Sequence, residues 1–169
     1  MRLMIFALRE DEWPGAIKEL LRVTKPGGLV QIVDANIELP EQKDTVFYKS
    51  LSAVHTICKA VGQNPRIGGE LERLVKEAGN TAIIDSQFRY NDTKKIMLQT
   101  PCSATGTRLA KKLIWCWLEG SKTGMTVAAP ILGLNNKAEQ ENYLKELEHC
   151  MATTSGYYNV NVVVAQKLA

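Results

Sequence analysis

The feature that most constrains this chain is residues 13–36, WPGAIKELLRVTKPGGLVQIVDAN. Ile17, Leu20, Leu21 and Val23 recur at helical spacing, and Pro14 stands where a first helical turn tolerates a residue without an N–H. Lys25-Pro26-Gly27-Gly28 then stops the helix, because proline cannot continue it and glycine accepts the positive φ of a tight turn. Residues 29–33 follow as a nearly continuous apolar run, the pattern of a strand covered on both faces. Helix, tight turn and buried strand in succession point to an α/β arrangement.

The rest of the chain extends this pattern. Residues 2–8 read as a short helix from the spacing of Leu3, Phe6 and Ala7. Helices are expected over about 46–61, 69–78 and 107–119, with a short or kinked helical patch at about 125–132 that contains Pro130. Asn136 and Glu139 form a capping box for a helix over about 137–151. Residues 81–90 and 157–166 read as strands; the second is rich in valine and alternates with Asn159 and Asn161. There is no repeat and no low-complexity linker, and 169 residues suit one domain over 1–169.

Composition excludes several function classes. The formal charge of +3 is small and the basic residues are scattered, which gives no footprint for a nucleic acid. The longest apolar run falls short of the ~20 residues that cross a bilayer. Cys58, Cys102, Cys116 and Cys150 are too widely spaced for a zinc pattern or a disulfide framework and read as reduced thiols. The opening MRLMIFAL lacks the features of a signal peptide, so a cytoplasmic location is expected.

The helix–PGG–strand unit closed by Asp34 resembles the middle of a class I S-adenosylmethionine-dependent methyltransferase. In detail it is similar to a group from fungal secondary metabolism: Arg2, residues 10–13 and residues 22–28 match that group's motifs. Glu70-Leu71-Glu72-Arg73-Leu74 and Glu77-Ala78-Gly79 match the helix before its sixth strand. The likeness is close over residues 2–36 and loose after about residue 95. It implies a truncated Rossmann-like fold: a small mixed three-stranded sheet with flanking helices, the last strand lying antiparallel between the other two, and a second chain to complete it. In the family, a glycine-rich loop and a ribose-binding carboxylate upstream of this unit hold the methyl donor. No such loop occurs here; Gly27-Gly28 and Gly68-Gly69 read as a turn and a helix start. The resemblance therefore implies no cofactor and a homodimer through residues 1–36, where the strand would otherwise leave an unpaired edge.

Candidate site residues cluster on the part that faces the methyl acceptor in the family. Asp34 and Asn36 sit at a strand's carboxyl end, where a carboxylate and an amide can move a proton and stabilise an oxyanion; Asp34 can equally cap a loop. His55 shares a helix side with Tyr48 and Cys58 and suits acid–base work near neutral pH, or is a partly exposed helix histidine. His149 near a helix end suits the helix dipole. Leu109, Leu113 and Trp117 share a face expected in the core; Trp115 walls a substrate, lies at an interface, or is exposed. The resulting expectation is a cofactor-independent cyclisation, rearrangement or isomerisation of a small, mostly apolar natural-product intermediate, with Asp34 and His55 catalytic and Asn36, Tyr48 and Trp115 binding. The alternatives are a non-catalytic partner subunit of a complete methyltransferase or of a tailoring enzyme, and a fragment of an active S-adenosylmethionine-dependent methyltransferase.

Overall fold

The helix expected before the PGG turn forms as α1, Trp13–Val23, in a computed structural model that describes residues 1–92, 104–153 and 156–169. Trp13, Ile17 and Leu21, spaced by four, are its buried stripe, while Val23 is left exposed. Thr24 leaves the helix in extended conformation, its hydroxyl donating to the Leu20 carbonyl at 2.8 Å. Gly27 then takes φ +75°, and a Cβ on Gly28 would come within 2.8 Å of the Lys25 carbonyl, so the turn needs both glycines.

The chain divides into two compact units, one comprising Met1–Glu38, Cys58–Arg89 and Asn159–Ala169, the other Leu39–Ile57 and Tyr90–Tyr158. The strands β1 (Leu29–Ala35), β2 (Thr81–Asp92) and β3 (Tyr157–Lys167) form one three-stranded antiparallel sheet in the order β1-β3-β2, with the last strand in the middle. Leu29 pairs with Gln166, Ile32 with Val163 and Ala35 with Val160. One face of this pair carries Val30, Ile32, Val163 and Ala165, all buried, while Leu29 and Gln31 on the other face are exposed. Helix α3 (Ile67–Ala78) packs on β1 and on α1 through Ile67, Leu71, Leu74 and Val75.

Residues 2–8 are not a helix. Residues 1–3 run beside β1: the Val33 N–H donates to the Met1 carbonyl at 3.0 Å, and the Leu3 N–H to the Val33 carbonyl at 2.9 Å, a parallel bridge. A turn follows, closed by the Ala7 N–H on the Met4 carbonyl at 2.8 Å. So short a segment gains little as an isolated helix, and a strand edge offering its N–H and C=O groups outcompetes it. Ile5 is the residue that becomes buried; Leu3 (φ +52°) and Phe6 stay exposed. The outer edge of β1, expected to be bare, is thus paired along part of its length.

In the second unit, α4 (Ala104–Leu132) is one helix where two were expected; α2 (Val46–Ala60) crosses from this unit into the first. Gly120 and Gly124 lower helix propensity without ending it, and Pro130 falls in the last turn. The buried stripe of α4 is Ala110, Ile114, Leu118, Met125 and Ala129, one residue along from the face expected, and Leu109 is exposed. Trp117 still packs inward, edge-to-face on Phe47 at 6.1 Å. Helix α5 (Lys137–Thr153) packs on α4. The Asn136 cap forms as expected, with the Glu139 N–H donating to Asn136 Oδ1 at 3.0 Å, but the Glu139 carboxylate accepts the Asn135 N–H at 2.6 Å in place of the N-cap's own N–H. Cys102 lies outside the described residues.

Candidate functional site

At the carboxyl end of β1 the buried sheet face turns from apolar to polar. Asp34 lies opposite Asn161, and one step on the Asn36 N–H donates to the Asn159 carbonyl at 3.0 Å. Directly opposed residues of antiparallel strands share a face. Asp34, Asn36, Asn159 and Asn161 therefore form a polar square continuing the Val30/Ala165 and Ile32/Val163 ladder. All four belong to the first unit.

Asp34 is fully buried, and its carboxylate accepts the Met4 N–H at 2.6 Å and the Ala35 N–H at 2.9 Å. Burial pushes its carboxyl above the ordinary value, and the backbone amides of Met4, Ala35 and Ile5 oppose that shift. Asn36, 6% exposed, donates through Nδ2 to Glu38 Oε1 at 3.0 Å, and that carboxylate stands 3.7 Å from the Arg66 guanidinium. The Oδ1 atoms of Asn36, Asn159 and Asn161 are buried with no donor among the described residues. Each such orphan costs about 1–3 kcal/mol, so this end of the sheet is not built for stability.

The first turn of α3 closes over this square. A Cβ on Gly68 would come within 2.5 Å of the Ala35 carbonyl oxygen, so only glycine lets the helix lie so close to β1. A Cβ on Gly69 would sit 3.6 Å from the Asn36 amide, at ordinary contact distance.

The expected site residues are divided between the units. Asp34 and Asn36 fall side by side in the first; Tyr48, His55 and Trp115 fall in the second. Tyr48 and His55 are half-buried on α2, two helical turns apart. Trp115 is 63% exposed. Burial raises the Cys58 thiol above its ordinary value, which keeps it protonated and unreactive.

Sequence reasoning did not assign two sets of residues. Asn159 and Asn161 stand out as amides alternating within a valine strand, but only the register sets them opposite Asn36 and Asp34. In the second unit Ser50 accepts the Trp117 indole N–H at 3.2 Å, and the Tyr143 hydroxyl lies 3.4 Å from the Val46 carbonyl. Burial pushes the Tyr143 hydroxyl up to about 12. No local signal marks this cluster, because it joins α2, α4 and α5.

No protein-family model matches the chain, and no curated protein matches it. Among solved structures it is similar to phosphoethanolamine N-methyltransferase 2 of Haemonchus contortus in complex with phosphomonomethylethanolamine and S-adenosylhomocysteine, at 16% identity and a TM-score of 0.45. That match covers 99% of this chain and 32% of that one. The same enzyme in complex with S-adenosyl-L-methionine matches at 16% identity and TM-score 0.46, with the same coverage. A loganic acid methyltransferase with SAH matches at 14% identity and TM-score 0.46, over 94% of this chain and 47% of that one. This chain spans less than half the length of each.

Proposed function

We propose that this chain is a methyltransferase-like protein that uses the acceptor side of that scaffold to isomerise, cyclise or rearrange a small natural-product intermediate without a methyl donor. The observation that carries the reading is the square at the end of β1, where three buried amide oxygens with no donor among the described residues stand beside a carboxyl that burial pushes toward its protonated form. Such a set orients hydroxyl or N–H groups of a ligand and supplies a proton beside them. An isomerisation moves a proton from one position to another with no net change in atoms or electrons, so it needs no co-reactant. In this reading Asp34 is the acid, and Asn36, Asn159 and Asn161 orient the substrate. His55 on α2 is a separate acid–base candidate. The motif likeness over residues 2–36 supports the scaffold half of the reading.

The test incubates the purified full chain with small-metabolite extracts, with and without S-adenosylmethionine, and follows the products by mass spectrometry. The expected products have the mass of their substrates, form without the donor, and disappear with Asn36→Ala. Products heavier by one methylene and formed only with the donor would replace this reading with methyl transfer. No turnover under either condition would favour a non-catalytic partner subunit.

A further inference from the structure

Helix α4 carries a second apolar line, apart from the stripe that packs inward. Leu109 and Leu113 begin it, Val127 and Ile131 end it, and Cys116, Gly120 and Gly124 lie between. At 3.6 residues per turn all of them fall within about 40° of one direction. Leu109, Val127 and Ile131 are 47%, 58% and 44% exposed. Gly120 lies midway between Leu109 and Ile131, close to three whole turns from each, so the line runs nearly parallel to the helix axis. Its order of sizes reads the same from either end, large side chains outside and small residues in the middle. The chain itself makes no use of the two glycines. A Cβ on Gly120 or Gly124 would meet nothing within 4 Å among the described residues, and neither takes a positive φ. Alanine would fit at both and favour the helix, whereas glycine suits a place where another backbone comes close.

We infer that α4 packs antiparallel against α4 of a second copy of this chain, about a two-fold axis at Gly120. A two-fold interface needs a patch that complements itself, which is what the symmetric order of sizes supplies. The axis sets Gly120 opposite Gly120, Cys116 opposite Gly124, Leu113 opposite Val127 and Leu109 opposite Ile131. A long helix lying on a core curves with its convex side toward solvent. Two such helices touch first at the middle, where the residues are smallest, and part toward their ends, where the large side chains fill the gap. Charge decides the direction. Arg108, Lys111 and Lys112 crowd the amino-terminal half of α4, and residues 123–132 carry no charge. Antiparallel packing sets that basic half beside the partner helix's carboxyl end, which bears the helix's partial negative charge; parallel packing would bring the two basic halves together. The line is about 33 Å long and one helix wide. That falls short of the ~1,600 Å² of a standard interface, so the dimer is weak.

Sedimentation equilibrium of the full chain at concentrations up to about 100 µM reads it out. The expected result is a monomer–dimer equilibrium, weakened at least ten-fold by Gly120→Leu. That substitution holds the two backbones apart while favouring the helix, so circular dichroism is expected to show the fold intact. Should it fail to fold, Val127→Asp sets a carboxylate in the apolar contact from an exposed position and is expected to produce the same loss. Mild oxidation of Gly124→Cys is expected to cross-link the dimer through the free thiol of Cys116, and adding Cys116→Ser to abolish the cross-link. A strictly monomeric chain would overturn the inference and leave this face to another occupant. Association unchanged by Gly120→Leu, which moves the contact elsewhere (such as residues 1–36), would do so too, as would a cross-link that persists without Cys116.

Discussion

The two ends of the β1–β3 pair are built on opposite terms. At the PGG end the polar groups have partners: the Gly27 N–H donates to the Lys167 carbonyl at 2.8 Å and the Lys167 N–H returns to the Gly28 carbonyl at 2.9 Å. Gln166 Nε2 donates to the Gly27 carbonyl at 3.0 Å, and Lys167 Nζ reaches the Thr24 carbonyl at 2.8 Å, satisfying an acceptor beyond the end of α1. At the other end, seven residues along β1, three amide oxygens are buried with no donor among the described residues. The same strand pair holds both ends, so neither strand propensity nor sheet geometry accounts for the difference. One end fastens the fold; the other keeps hydrogen-bonding capacity in reserve, as the proposed site would need.

The largest effect that would break this comparison is steric. Gly68→Ala places a methyl group 2.5 Å from the Ala35 carbonyl oxygen, where the backbone itself must shift. A loss of about 2–4 kcal/mol in urea unfolding is expected, at the severe end for a single substitution. Gly69→Ala meets only the Asn36 amide, at 3.6 Å, and a helix interior favours alanine, so it should be neutral or slightly stabilising. Equal losses at both positions would mean that α3 does not lie against β1 as described.

The next pair sharpens the contrast by its sign. Asn161→Val removes a buried acceptor that has no donor among the described residues and fits the valine pattern of β3, so it should stabilise by about 1–2 kcal/mol and, if the square is the site, abolish ligand binding. Lys167→Met at the fastened end removes the ammonium from the Thr24 carbonyl and should destabilise by about 1 kcal/mol. Destabilisation by both would show that the amides of the square are satisfied in solution.

What was legible in the sequence follows the range of the forces involved. The α1–turn–β1 unit and the Asn136 cap of α5 are decided within a few residues, by Pro14, Gly27, Gly28 and Asn136, and they form as read. Residues 2–8 went the other way because their backbone partner, Val33, lies some thirty residues downstream. Two helical stretches, over about 107–119 and 125–132, were expected, but packing of the Ala110–Ile114–Leu118 stripe carries one helix through Gly120 and Gly124. At the candidate site Asp34 and Asn36 were visible from their place at a strand end. Asn159 and Asn161 were visible only as residue types, since which face and which neighbours they share is fixed by register, a property of two strands together.

The smallest predicted effect concerns the proton on Asp34. Burial raises its carboxyl above the unfolded value of about 3.9, so folding favours the protonated form. The sign follows from linkage: a folded chain that binds the proton more tightly than the unfolded one is most stabilised by this group in acid. It loses that contribution as pH rises from about 4 through the folded value. Asp34→Asn carries no proton to lose, and other titrating groups are common to both chains, so the stability difference between wild type and variant isolates this one. That difference should move against the wild type across this window and level off above it, whatever offset comes from an amide accepting only one of the Met4 and Ala35 N–H groups. Urea midpoints of both proteins from acid to neutral pH give the slope. A difference moving in favour of the wild type as pH rises would mean that the backbone amides outweigh burial, leaving Asp34 an ionised anchor for the turn at residues 4–8 and no proton donor.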